Sequence, residues 1–122
     1  MKHLLLLAAF ACSAAQADTV ACHVSYGGET QVIRAQPIAT PYTVAPIAIG
    51  SYFLFRLVFE RNHAIKVYTY ADREPPQGAV LLHQADYLYP PTSKGRYGFT
   101  GLQRVYEPIR DGELDYWCGW TQ

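Results

Sequence analysis

Past the first residues of the chain, the side chains weighed first for chemistry are three histidines, two cysteines and six of the 10 carboxylates. The histidines are His23, His63 and His83, the six acids are Glu60, Asp86, Glu107, Asp111, Glu113 and Asp115, and the cysteines are Cys22 and Cys118. Zinc and copper sites draw on such residues, commonly at i, i+2 or i, i+4 spacings that put two ligands on one face. No two of the three histidines are spaced that way. The 1 methionine of the chain is its first residue, which removes a Met-rich copper carrier from consideration. Hydrolysis by a nucleophile needs an exposed serine or an unpaired cysteine beside a base, and no Gly-x-Ser-x-Gly elbow occurs. Glycoside hydrolysis needs two carboxylates across a cleft. Here Glu107, Asp111, Glu113 and Asp115 crowd one predicted turn and read as a solvated rim. His83 and Asp86, three apart on a predicted strand, would face opposite ways. No glycine-rich loop opens a helix, so no nucleotide cofactor is expected. These patterns predict a protein that is not an enzyme and carries no cofactor and no metal.

Aromatic residues are the more unusual supply: 10 tyrosines and 2 tryptophans. Tyr87, Tyr89, Tyr97 and Tyr106 gather in sequence around a polar tip at residues 90–95, and Trp117 and Trp120 lie near the C-terminus. Tyr and Trp offer rigid contact area with a polar handle, which suits recognition of a protein or a sugar. They also fill sheets, so these six residues are both candidate binding residues and candidate packing residues.

The elements that must position these residues read as strands. Lys2, the apolar run 4–11 and the small-residue exit Ala15-Gln16-Ala17 form a secretory leader over residues 1–17, cut before Asp18. Residues 18–122 then form one exported domain, periplasmic or secreted. Cys12 falls within the leader, which leaves Cys22 and Cys118 to form one disulfide in an oxidising compartment. The leader run is too short to span a bilayer and no later stretch reads as a span. Lys and Arg number 10 and Asp and Glu number 10, so the basic surplus that nucleic-acid binding needs is missing. Half of the chain is apolar, at 50%, which places it among globular domains.

Helical periodicity is absent, and short β-branched and aromatic runs alternate with Gly, Pro, Asn and Asp. The expectation is an all-β fold, a small antiparallel sandwich or barrel of about seven strands. A Gly27-Gly28 turn closes the first hairpin and sets Cys22 opposite Ile33 and His23 opposite Val32, with Cys22 inward. Three prolines make residues 37–50 a loop or an interrupted edge strand that lies on the body or faces a partner. Residues 51–60, apolar on both faces, read as a central strand, and residues 64–70 as its partner. A fifth strand starts at Ala79 with an irregularity near Asp86, a sixth covers residues 97–107 and a last one residues 113–120.

In size, leader and a cysteine near each end, the chain resembles the small β-barrel periplasmic inhibitors of c-type lysozymes. Ser93-Lys94-Gly95-Arg96-Tyr97 stands where that family carries Ser-Gly-x-x-Tyr, so the likeness is architectural. The expected function is binding of another exported protein or an envelope component, with no nucleic acid and no membrane span. Inhibition of a cell-wall-attacking enzyme is one alternative, and a small periplasmic metal binder is another. The sequence does not indicate an oligomeric state.

Overall fold

The computed structural model describes His3 and residues 18–121, so the leader predicted over residues 1–17 lies, His3 apart, outside the described residues. The chain folds as two antiparallel four-stranded sheets, a small β-sandwich, and this settles sandwich against barrel. The strands are β1 (Thr19–Tyr26), β2 (Glu29–Ala35), β3 (Ile47–Ile49), β4 (Phe53–Glu60), β5 (Ala64–Asp72), β6 (Ala79–Leu88), β7 (Gln103–Glu107) and β8 (Gly112–Thr121). One sheet has the order β2-β1-β8-β7 and the other β3-β4-β5-β6. The eighth strand relative to the expected seven is β3, a three-residue edge on β4.

Local alternation fixes the first hairpin. Gly27 and Gly28, at φ 62° and 81°, supply the left-handed pair that a tight turn needs. Cys22 then pairs with Ile33 and His23 with Val32, the expected register. Val20, Cys22 and Val24 turn inward, while β4 contributes Phe53, Phe55, Leu57 and Phe59 to the same core. Burying each phenylalanine side chain stabilises the fold by roughly 1.5–3 kcal/mol before conformational entropy is counted. Phe55 meets Tyr116 of β8 edge-on at 5.3 Å between ring centroids, joining the two sheets at the centre.

Both ends of the domain sit in the middle of one sheet. β1 pairs with β8 so that Cys22 lies directly opposite Cys118, and their disulfide closes 96 residues of chain. The 4.0 Å between their Cα atoms is the short spacing of a non-hydrogen-bonded pair, where facing side chains come closest. The main-chain groups of Cys118 therefore point away from β1, toward residues 98–100.

Two segments depart from the sequence reading, and a third follows it. The predicted sixth strand over residues 97–107 is regular only from Gln103, because Gly98 and Gly101 take φ of 63° and 72° and fold residues 97–101 into a turn. The irregularity expected near Asp86 lies instead at Leu82, which the register skips while Thr69 faces His83 and Tyr70 faces Leu81. The bulge leaves two successive side chains, Leu82 and His83, half-buried, and Asp86 pairs regularly with Lys66. The proline-rich stretch before β3 lies on the body: Ile38 bridges Glu60, and the Arg56 guanidinium donates to the carbonyls of Val44 and Pro41 at 2.8 and 2.7 Å. Tyr42, in the short 3-10 turn Pro41–Thr43, stays 90% exposed.

Candidate functional site

Alternation along β1 and β8 turns His23 and Trp117 outward, one residue along from the disulfide pair. They face each other across the ladder and their rings stack at 4.0 Å with 10° between planes. The disulfide pins the register that creates this stack, since a one-residue slip of either strand would turn that strand's ring to the other face. Tyr97 joins from the other side, its ring 6.2 Å from Trp117 and edge-on, and the Arg96 guanidinium lies 5.2 Å over Tyr97. Val32, 39% exposed, continues the line on β2 beside His23. The result is a ridge of one aliphatic and three aromatic side chains across the outer face of the sheet.

Tyr97 is held there by the turn that replaces the predicted strand. The Phe99 N–H donates to the Cys118 carbonyl at 2.9 Å, and the Cys118 N–H donates to the Thr100 hydroxyl at 2.9 Å. Phe99 itself is buried against Tyr87, with ring centroids 5.2 Å apart. One cysteine thus carries the staple to β1 and the dock for the Tyr97 turn.

The other aromatic candidates are elsewhere. Tyr87 turns toward the core, and burial pushes its phenol up. Tyr89 and Trp120 pack edge-on at 5.7 Å on the core side, and the Tyr89 hydroxyl donates to the Asp18 carboxylate at 2.5 Å. That hydrogen bond, then burial, then the Asp18 charge raise the Tyr89 phenol. Tyr106 lies at the β7–β8 turn, 53% exposed, with its hydroxyl on Asp111. So residues 87–106 do not form one tyrosine cluster; Tyr97 and Trp117 are brought together, and Tyr87, Tyr89, Trp120 and Tyr106 are not part of that surface. A hollow of about 310 Å³ lies between β6 and the tip, lined by Tyr87, Pro90, Pro91, Lys94 and Phe99 among others.

The three histidines fall in three places: His23 on the ridge, His63 exposed beside Glu60 at 3.7 Å in the β4–β5 turn, and His83 near Tyr116 with Nδ1 buried. Among the described residues no three His, Cys, Asp or Glu side chains are grouped to hold a metal ion. No helix among them is long and apolar enough to cross a membrane.

Glu107 corrects the solvated-rim reading of the acidic cluster. It is fully buried and accepts from the Arg73 guanidinium at 2.9 Å and from the N–H groups of Ile109 and Arg110 at 3.2 and 2.8 Å. Burial opposes its charge, but Arg73 and the two amides outweigh that cost and hold the carboxyl below its ordinary 4.5. A carboxyl depressed in the folded state stabilises the fold above its unfolded value, and that stability is lost as pH falls through the folded value. Thermal melts from about pH 5 to pH 3 are therefore expected to drop more steeply for the native chain than for Glu107→Gln. At neutral pH the Glu107→Gln chain should melt lower, because Arg73 keeps its charge and loses its partner. Parallel slopes in acid would contradict the assignment.

Sequence reasoning also missed a cleft of about 520 Å³ at one end of the sandwich, lined by Ser51, Tyr52, Asp72, Arg73, Glu74 and Arg110 among others. Its walls come from three separate loops, so no local pattern signals it. No protein-family model, no curated protein and no solved structure matches this chain.

Proposed function

We propose that this protein is an exported, non-catalytic binding domain of the periplasm or the extracellular space, which meets another exported protein or an envelope component through the ridge of His23, Trp117 and Tyr97. One observation carries the reading: three aromatic rings stand in contact on the outer face of a sheet whose core lies on the other side. Rigid rings already packed against each other lose little freedom when a partner lands on them. The imidazole, the indole N–H, the phenol and the neighbouring guanidinium of Arg96 add polar handles at the rim. Aromatic and arginine side chains in such a patch are the residue types that dominate binding energy.

The test is a pulldown from envelope extract with the native chain and with the Tyr97→Ser, Trp117→Thr double variant. Both side chains lie outside the core, so the variant should stay folded while its partner is retained at least about tenfold less well. An unchanged set of partners at equal recovery would remove the ridge from the account.

Inhibition of a cell-wall-attacking enzyme is the second reading, and it has its own support. Residues 93–96 form an exposed tip that leads directly into Tyr97. Undiminished lysozyme activity in the presence of excess purified protein would eliminate it.

A further inference from the structure

We propose that the cleft at the end of the sandwich binds a free basic amino acid, a small molecule with one carboxylate and two ammonium groups. This site stands apart from the aromatic ridge and does not depend on it.

Three loops build the cleft, and hydrogen bonds fix each. Asp72 donates its N–H to the Tyr52 carbonyl at 2.8 Å, Arg73 to Gly78 at 2.9 Å, and Arg110 to the buried Glu107 carboxylate at 2.8 Å. The walls are thus preformed, the usual condition of a small-molecule site, and a volume of about 520 Å³ is ample for an amino acid.

The charge balance inside selects the ligand. Arg73 is neutralised by Glu107 at 2.9 Å. Arg110 lies 4.6 Å over the Tyr52 ring, and among the described residues its guanidinium makes no ion pair. The Asp72 and Glu74 carboxylates have no cationic partner among the described residues either. One free cation and two free anions therefore border one space, beside an aromatic wall. A simple neutral amino acid would leave one carboxylate unmatched, and a dicarboxylic one would add a second anion to a site that already holds two. Lysine and ornithine reverse the balance of the cleft group for group: the carboxylate meets Arg110, the ammonium groups meet Asp72 and Glu74, and the methylene stem lies along Tyr52.

Isothermal titration of the intact oxidised protein tests this with three probes: L-lysine, L-norleucine, which lacks the side-chain amine, and cadaverine, which lacks the carboxylate. The expected result is saturable lysine binding at least tenfold tighter than either of the other two. Arg110→Gln, which keeps the backbone N–H that Glu107 needs, should bring lysine down to the level of cadaverine and leave cadaverine unchanged. The Asp72→Asn, Glu74→Gln pair should weaken lysine at least tenfold and erase its advantage over norleucine measured on the same variant, and it stands on its own if Arg110→Gln does not fold. Absence of saturable heat with lysine overturns the proposal. So does equal affinity for all three probes, or lysine binding untouched by the acidic-pair change.

Discussion

Replacing Cys22 and Cys118 together by alanine is expected to lower stability by about 2–5 kcal/mol and the melting temperature by at least about 10 °C. The bond closes 96 residues, nearly the whole domain, so its loss returns to the unfolded chain the freedom that the ring removes. Both sulfurs are fully buried, so alanines also leave a gap where the staple packed. Non-reducing and reducing melts of the native chain should bracket the same difference, which separates the bond from the mutation. The folded double variant should nevertheless keep its near-ultraviolet aromatic signal. Val20, Val24 and Tyr116 hold the same inward parity around the pair, so the His23 and Trp117 stack does not depend on the sulfurs alone. A melting temperature unchanged by removal of the bond would mean that the ends are held by packing only.

Gly98→Ala is expected to cost more than about 3 kcal/mol, enough to unfold a marginal domain or to tear the Tyr97 turn away from β8. A Cβ built at Gly98 falls 2.1 Å from the Cys118 carbonyl oxygen and 2.9 Å from the Gly119 Cα, both main-chain atoms that cannot step aside. The backbone there is also left-handed, at φ 63°. Gly101→Ala separates the two causes. It shares the left-handed backbone, at φ 72°, but its added Cβ meets nothing nearer than 3.9 Å, so it should cost only about 1–2 kcal/mol. Equal melting temperatures for the two variants would show that the Gly98 segment does not dock on Cys118 as described. If Gly98→Ala stays folded with a displaced turn, loss of partner binding alongside intact sheets would tie the ridge to that contact.

What was legible in the sequence was whatever the two-residue period encodes. Cys22 inward, His23 outward, the Gly27-Gly28 register and the central place of β4 all follow from counting along one strand. Elimination pairs Cys22 with Cys118, which leaves the first and last strands either side by side or facing across the core, and the structure makes them neighbours. Residues 97–102 misled because Phe99 and Thr100 have the composition of a strand, while the conformation is set by glycines and by a docking contact on Cys118 far along the chain. Glu107 misled in the same way. Beside a turn rich in acids it reads as solvated, and only the fold brings Arg73 from another loop to bury it. The tyrosines of residues 87–106 are neighbours in sequence but divide between core and surface, since parity and turn geometry, not proximity along the chain, decide which way each ring points. The terminal cleft had no local signature at all, because its charges come from loops that meet only in the folded molecule.

We propose export of this domain, release of its leader and oxidation of Cys22 and Cys118 in the compartment it reaches. Intact-mass spectrometry of the protein taken from its native envelope fraction, alkylated before any reduction, tests it most directly. The expected result is a chain beginning at Asp18 with no alkyl adduct until a reductant is added. A mass that retains residues 1–17, or two adducts on the unreduced native protein, would contradict it.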